Sequence, residues 1–188
     1  AGDGFRVLKH ATKSIIYSEM QGAENVWRID TEKQLVKTIQ PLPTISQAKL
    51  RFNWNAAMAL SPRRPDRLYM GSQYLHLSED MGESWVVISP DLTTNDPDKQ
   101  NQDNSGGLSK DNSGAENHTT IYTIAESPLD AEVIWVGTDD GNVQVTRDGG
   151  KNWTNTVANI PDLPKSTWCY HIEASELDKG TAYAVFDG

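Results

Sequence analysis

The sequence predicts an all-β fold assembled from repeated four-stranded antiparallel sheets. Three observations carry that expectation. One eight-residue pattern occurs twice, as Ser78-Glu79-Asp80-Met81-Gly82-Glu83-Ser84-Trp85 and as Thr146-Arg147-Asp148-Gly149-Gly150-Lys151-Asn152-Trp153. Both read hydroxyl, x, Asp, x, Gly, x, x, Trp, and a matched pattern in similar flanking sequence marks an internal repeat. Each copy lies between two strand-like runs, 74–78 and 85–89 in one, 142–146 and 153–158 in the other. A longer register repeats as well: Ser61, Ser127 and Ser175 each precede an aromatic residue, Tyr69, Trp135 and Tyr183, by eight positions.

The residue types within the pattern suit a tight hairpin. Gly82 and Gly150 tolerate the positive φ that such a turn needs. The carboxylates of Asp80 and Asp148 can accept hydrogen bonds from nearby backbone N–H groups, and the hydroxyls of Ser78 and Thr146 can add weaker ones. Trp85 and Trp153 then open the next strand and cover the turn with a large apolar face. On this reading Asp80 and Asp148 hold backbone and belong to no reactive site.

Taken in order, segments 5–10, 14–18, 26–30 and 35–40 read as four short strands forming a first sheet, in which Asp30-Thr31-Glu32-Lys33 stands where the repeated pattern would be. Pro41-Leu42-Pro43 ends the outermost strand. The second sheet is 55–61, 66–71, 74–78 and 85–89; the third is 119–127, 132–137, 142–146 and 153–158. A fourth copy opens at Trp168 and has two strands by Gly188, giving about fourteen in all. Between the second and third sheets runs a long polar stretch rich in Asp, Asn, Ser and Gly, and loops of that length are usually functional or disordered.

The repeated pattern is that of the Asp-box, or bacterial neuraminidase repeat, and the chain resembles the Asp-box β-propellers, a group that includes sialidases, xyloglucanase-type glycoside hydrolases and sortilin-like receptors. Phe52-Asn53-Trp54-Asn55, Ser89-Pro90-Asp91-Leu92-Thr93-Thr94-Asn95-Asp96 and Trp135-Val136-Gly137-Thr138-Asp139-Asp140-Gly141-Asn142-Val143 are similar to large bacterial sortilin-like or glycosyl-hydrolase-like repeat proteins. The resemblance implies a β-propeller present as about three and a half blades of a larger ring. Its parts would be a blade at 1–47 without an Asp-box, a blade at 48–90 with one, a polar loop at 91–117, a blade at 118–160 with an Asp-box and a half blade at 165–188. Repeat units need neighbours to bury their faces, so further blades of the same chain, or a second copy, are expected to close the ring. The resemblance also implies a secreted or cell-envelope protein of bacteria.

Composition narrows the function classes. The chain has 188 residues with a formal net charge of −9, and its Lys and Arg are dispersed, which argues against binding a phosphate backbone. No run of about 18 apolar residues exists, so no membrane span is expected. Cys169 is the single cysteine; it excludes an internal disulfide and a thiolate metal site, and between Trp168 and Tyr170 it reads as a buried structural thiol. His10, His76, His118 and His171 lack metal-ligand spacing, and the acidic loop residues lack the pattern of a calcium-binding loop, so neither metal nor cofactor is expected.

Two sets of candidate functional residues remain. Glycoside hydrolysis needs two carboxyl groups about 5–9.5 Å apart. On the face opposite the Asp-boxes the candidates are Glu116, Asp139 and Asp140, with Glu19 and Glu24 on the first blade, although Asp139-Asp140-Gly141 also reads as an ordinary turn. Phe5-Arg6-Val7-Leu8 lacks the proline of the sialidase arginine motif, and no arginine triad can be assembled, so a sialidase is not supported. The binding set is Arg51, Asn53, Trp54, Asn55, His118, Tyr170 and His171, which fall at inner-strand starts in repeat register. Polar and aromatic groups together suit recognition of a carbohydrate or protein ligand, or else line the channel and bond neighbouring blades.

Overall fold

A computed structural model describes residues 2–44, 49–101 and 117–187. Among the described residues are fourteen strands in four antiparallel sheets. The first sheet is β1 (Gly4–Lys9), β2 (Ile15–Met20), β3 (Asn25–Asp30) and β4 (Leu35–Thr38); the second is β5 (Ala57–Leu60), β6 (Leu68–Gly71), β7 (Leu75–Ser78) and β8 (Val86–Val87). The third is β9 (Ile121–Glu126), β10 (Ile134–Thr138), β11 (Val143–Thr146) and β12 (Thr154–Asn155), and the fourth pairs β13 (Trp168–Ala174) with β14 (Ala182–Asp187). Within each sheet the strands pair in chain order, so each is a simple meander from an inner to an outer strand.

Burial explains the composition of the strands. The second strand of the middle sheets, β6 and β10, is buried on both faces, because a further sheet packs on either side. The outer strands β4, β8 and β12 are exposed throughout. Two of them shrink to two residues where the sequence predicts five or six. In the second sheet Ser89 Oγ takes the Leu75 N–H at 2.8 Å, and in the third the chain turns into a 3₁₀ segment at Val157–Asn159, so side chains and turns replace ladder bonds there. Short outer strands blunt an edge that would otherwise invite pairing.

The core lies between sheets. Ile15, Tyr17, Val26 and Ile39 of the first sheet and its exit pack on Phe52, Met58, Leu68 and Met70. Tyr69, Leu75 and Leu92 pack on Ile121, Ile134 and Val136. Trp135, Val143 and Val145 pack on Cys169, Ile172 and Ala174. Cys169 is fully buried, and burial pushes its thiol up to about 12, as suits a packing residue.

The two Asp-Gly-Trp corners have matching geometry. Ser78 Oγ donates to Asp80 Oδ1 at 2.8 Å and accepts from Gly82 N at 2.7 Å; Asp80 accepts from Ser84 N at 2.9 Å. Thr146, Asp148, Gly150 and Asn152 repeat these bonds at 2.8, 2.9 and 2.9 Å. The hydrogen bonds hold both carboxyls at about 2, first through Ser84 and Asn152. The tryptophans reach further than a covering role over their own turn: Trp85 Nε1 donates to Ile39 O at 2.7 Å and Trp153 Nε1 to Ile88 O at 3.1 Å. Gly82 (φ +86°) and Gly150 (φ +98°) press on the same two isoleucines, where a Cβ would collide. Each corner thus clamps the exit of the preceding sheet's outer strand.

A buried polar cluster joins the second and third sheets. Glu126 accepts from Ser61 Oγ and the Tyr69 hydroxyl, both at 2.6 Å, and lies 3.4 Å from Arg67 Nη1. Arg67 Nε also donates to Glu79 at 3.0 Å. Every charge there has a partner, which low-dielectric surroundings require.

Candidate functional site

The candidate residues gather where the inner strands begin, at the end of the sheets that also carries the turn 139–142. Two groups form there. The first surrounds the adjacent carboxylates of that turn. Asp139 Oδ1 accepts from Thr120 N at 2.8 Å, while Oδ2 accepts from Thr120 Oγ1 at 2.5 Å and Asn53 Nδ2 at 3.0 Å. His118 Nδ1 stands 3.8 Å from Asp139 Oδ1. Burial raises the Asp139 carboxyl, against the opposing pull of the His118 charge and of these hydrogen bonds. Asp140 Oδ2 accepts from both Thr94 N and Thr94 Oγ1 at 2.7 Å, and Oδ1 from Thr138 Oγ1. Both carboxylates are buried at 1% exposure and fully engaged, so they tie connecting segments to a turn. Arg51 does similar work: its Nη2 meets Asp91 at 3.1 Å and its Nε donates to Thr119 O at 3.3 Å.

The second group has a contribution from each sheet. Arg6 of β1 donates from Nε to Asn55 Oδ1 at 3.1 Å and from Nη2 to Tyr122 O at 3.0 Å, and its guanidinium lies 5.4 Å from the Tyr122 ring centroid. Asn55, just before β5, donates from Nδ2 to the Tyr122 hydroxyl at 3.1 Å. Tyr122 of β9 is buried under Trp168 and Tyr170 of β13, with centroids 4.8 and 5.5 Å away. The Tyr170 ring is half exposed. Trp54 sits beside the group, edge-on to Phe5 at 6.3 Å. Beneath it, Glu19 of β2 is fully buried; Oε1 accepts the Arg6 N–H at 3.2 Å and Oε2 has no partner among the described residues. Burial pushes that carboxyl up to about 6.

The sequence-predicted residues therefore divide. Asn55 and Tyr170 meet at Tyr122, Trp54 packs on Phe5, Asn53 and His118 meet at Asp139, and Arg51 lies with Asp91. His171 does not join them: its Nε2 faces Glu173 at 3.4 Å, beside Leu60, Ile124 and Pro128. Glu116 lies outside the described residues. Sequence reasoning missed Arg6, Tyr122 and Trp168. Tyr122 carried a usable signal, since it precedes Ser127 by the same five positions that separate Tyr170 from Ser175. Arg6 carried none, because the first sheet has His10 in place of the serine.

No family model matches the chain. The oligoxyloglucan-reducing end-specific xyloglucanase of Emericella nidulans is 26% identical over 94% of the chain, which spans 20% of that protein's length. A GH74 enzyme of Niastella koreensis superposes with a TM-score of 0.60 at 15% identity, covering 99% of this chain and 27% of its own. The extracellular domain of a protein described as a hybrid two-component system of B. thetaiotaomicron superposes with a TM-score of 0.55 at 16% identity, over 95% of this chain and 21% of its own. The fold is a β-propeller. Its likeness in sequence runs to a glycoside hydrolase.

Elsewhere on this propeller a groove of about 800 Å³ runs between the first sheet and Met81. Its Lys13, Arg28 and Lys37 are already paired with Asp66 and Glu83, so it has little free charge to direct chemistry. Among the described residues no three His, Cys, Asp or Glu side chains converge to hold a metal ion, and no helix is long and apolar enough to cross a membrane.

Proposed function

We propose that this propeller is a secreted or cell-envelope recognition module whose ligand is a carbohydrate, held over the mouth formed by Arg6, Asn55, Tyr122 and Tyr170. One observation carries the reading: strands of separate blades each contribute a hydrogen-bonding or aromatic group to one spot, with one ring left half exposed. Sugars present C–H faces and fixed hydroxyl patterns, which aromatic rings and rigid polar groups recognise. Titration calorimetry against a panel of plant and bacterial oligosaccharides tests it. Tyr170→Ala is expected to weaken binding about tenfold or more, a loss of roughly 1.4 kcal/mol, with the melting temperature unchanged. Panel-wide failure to bind would refute the reading.

A glycoside hydrolase is the second reading, favoured by the 26% identity to a xyloglucanase. Asp139 and Asp140 are poor acid and base candidates because neither reaches solvent. Glu116 is then the residue to change, and its conversion to Gln should abolish release of reducing ends. In both readings the corners at Asp80 and Asp148 are Asp-boxes, and the blades divide at 1–47, 48–90, 118–160 and 165–188. Further blades of the same chain or a second copy complete the ring, and light scattering distinguishes the two.

A further inference from the structure

The geometry points to an acidic sugar as the ligand of this mouth, with the carboxylate of a uronic acid meeting Arg6; the inference rests on the carbohydrate reading above. The chain is acidic, with 17 Lys and Arg against 26 Asp and Glu, and its partly buried arginines mostly face carboxylates: Arg28 faces Glu83, Arg51 faces Asp91 and Arg67 faces Glu79 and Glu126. Arg6 is different. Among the described residues no carboxylate oxygen lies within ion-pair distance of its guanidinium, and its two hydrogen bonds go to neutral acceptors, Asn55 Oδ1 and Tyr122 O. The nearby Glu19 spends its one engaged oxygen on the Arg6 backbone amide, not on the side chain.

Glu19 attracts the Arg6 charge through space but makes no hydrogen bond to the guanidinium, so a ligand anion that bonds it directly completes its pairing. The guanidinium is already immobilised by two hydrogen bonds and by the Tyr122 ring, so little side-chain freedom is lost on binding. Its Nη1 group makes no hydrogen bond among the described residues, and the planar fork suits a planar carboxylate. The Tyr122 hydroxyl accepts from Asn55, which leaves its hydrogen available to a second ligand oxygen. The half-exposed Tyr170 ring, 5.5 Å from Tyr122, presents an apolar face for the pyranose that bears the carboxylate. A neutral glucan would use the ring and leave the cation unmatched.

The test measures binding of the full chain to an oligogalacturonate, a glucuronic-acid oligosaccharide, a neutral xyloglucan oligosaccharide and a sulfated oligosaccharide at pH 7 and low salt. A uronate is expected to bind about tenfold or more tighter than the neutral sugar. Arg6→Met should erase that preference and Arg6→Lys should restore part of it, with circular dichroism showing both variants folded. Equal affinity for neutral and acidic sugars, lost in Tyr170→Ala but unaffected by Arg6→Met, would overturn the charge selectivity and leave carbohydrate recognition standing. A preference for the sulfated sugar would overturn the carboxylate assignment, and absence of binding to all four would overturn both readings.

Discussion

His76 and Glu19 are two buried titratable side chains that burial drives in opposite directions. His76 sits on β7 with Nε2 2.8 Å from Ser72 Oγ and its ring stacked on Phe52, and burial pushes its pKa from 6.5 down to about 4. The folded state therefore resists taking up the proton. Its contribution is complete above about pH 6.5 and is lost as pH falls toward 4, by about 3 kcal/mol at most. Urea titrations at pH 7 and pH 4 should show a smaller acid loss for His76→Gln than for the parent. Glu19 has the reverse sign: raised from 4.5 to about 6, it costs nothing below pH 4.5 and destabilises as pH rises through 6. Glu19→Gln should thus be more stable than the parent at pH 7, by roughly 1–2 kcal/mol, and level with it at pH 4. Neither behaviour was legible in sequence, because a histidine or glutamate in an alternating strand gives no sign of which face meets another sheet.

At the scale of the element, the Asp-Gly-Trp corner was the most legible feature of the chain, and its spacing led to the hairpins directly. Its second role was hidden. Trp153 bonds a carbonyl 65 residues earlier, and no local pattern encodes such a partner. Gly150→Ala sets a Cβ against the Ile88 carbonyl at a φ that alanine avoids. The expected loss is about 2–3 kcal/mol, read from the urea midpoint. Trp153→Phe keeps an aromatic ring but loses part of the indole's apolar face and the Nε1 bonds to Ile88 O and Gly150 O, so about 1–2 kcal/mol should be lost. Equal effects from the two variants would show that the glycine contact adds nothing. The candidate residues show the same divide: Asn53, Asn55 and Tyr170 were singled out from register, whereas Arg6 depended on a side chain crossing from the first sheet to the third.

Across the whole molecule, stability is a chain of nearest-neighbour interfaces, since each apolar group spans two consecutive sheets. The interface between the second and third sheets differs in kind, with Glu126 at its centre and Arg67, Tyr69 and Ser61 around it. Glu126→Ala removes the acceptor of the Ser61 and Tyr69 hydroxyls and the second carboxylate beside Arg67, which keeps Glu79, so it should cost about 1–3 kcal/mol. A joint Arg67→Met and Glu126→Leu replacement should recover part of that, because the seam then holds no buried charge and the half-exposed Glu79 is left to water. If the single and double variants unfold at the same urea concentration, the pairing contributes nothing. The meander and the number of strands were readable from repeats; this polar seam was not, because Arg67 and Glu126 lie on different repeats and in no shared motif.

Asp139 and Asp140 hold Thr120 and Thr94, so two distant points of the chain are anchored to one turn. The stretch leaving at Thr94 and returning at Thr120 has its ends already brought together by the scaffold. Closure entropy grows only with the logarithm of length, about 0.6 kcal/mol for each doubling. New sequence can therefore be grafted between those anchors, and new specificity tried out there, while the sheets on either side keep their register.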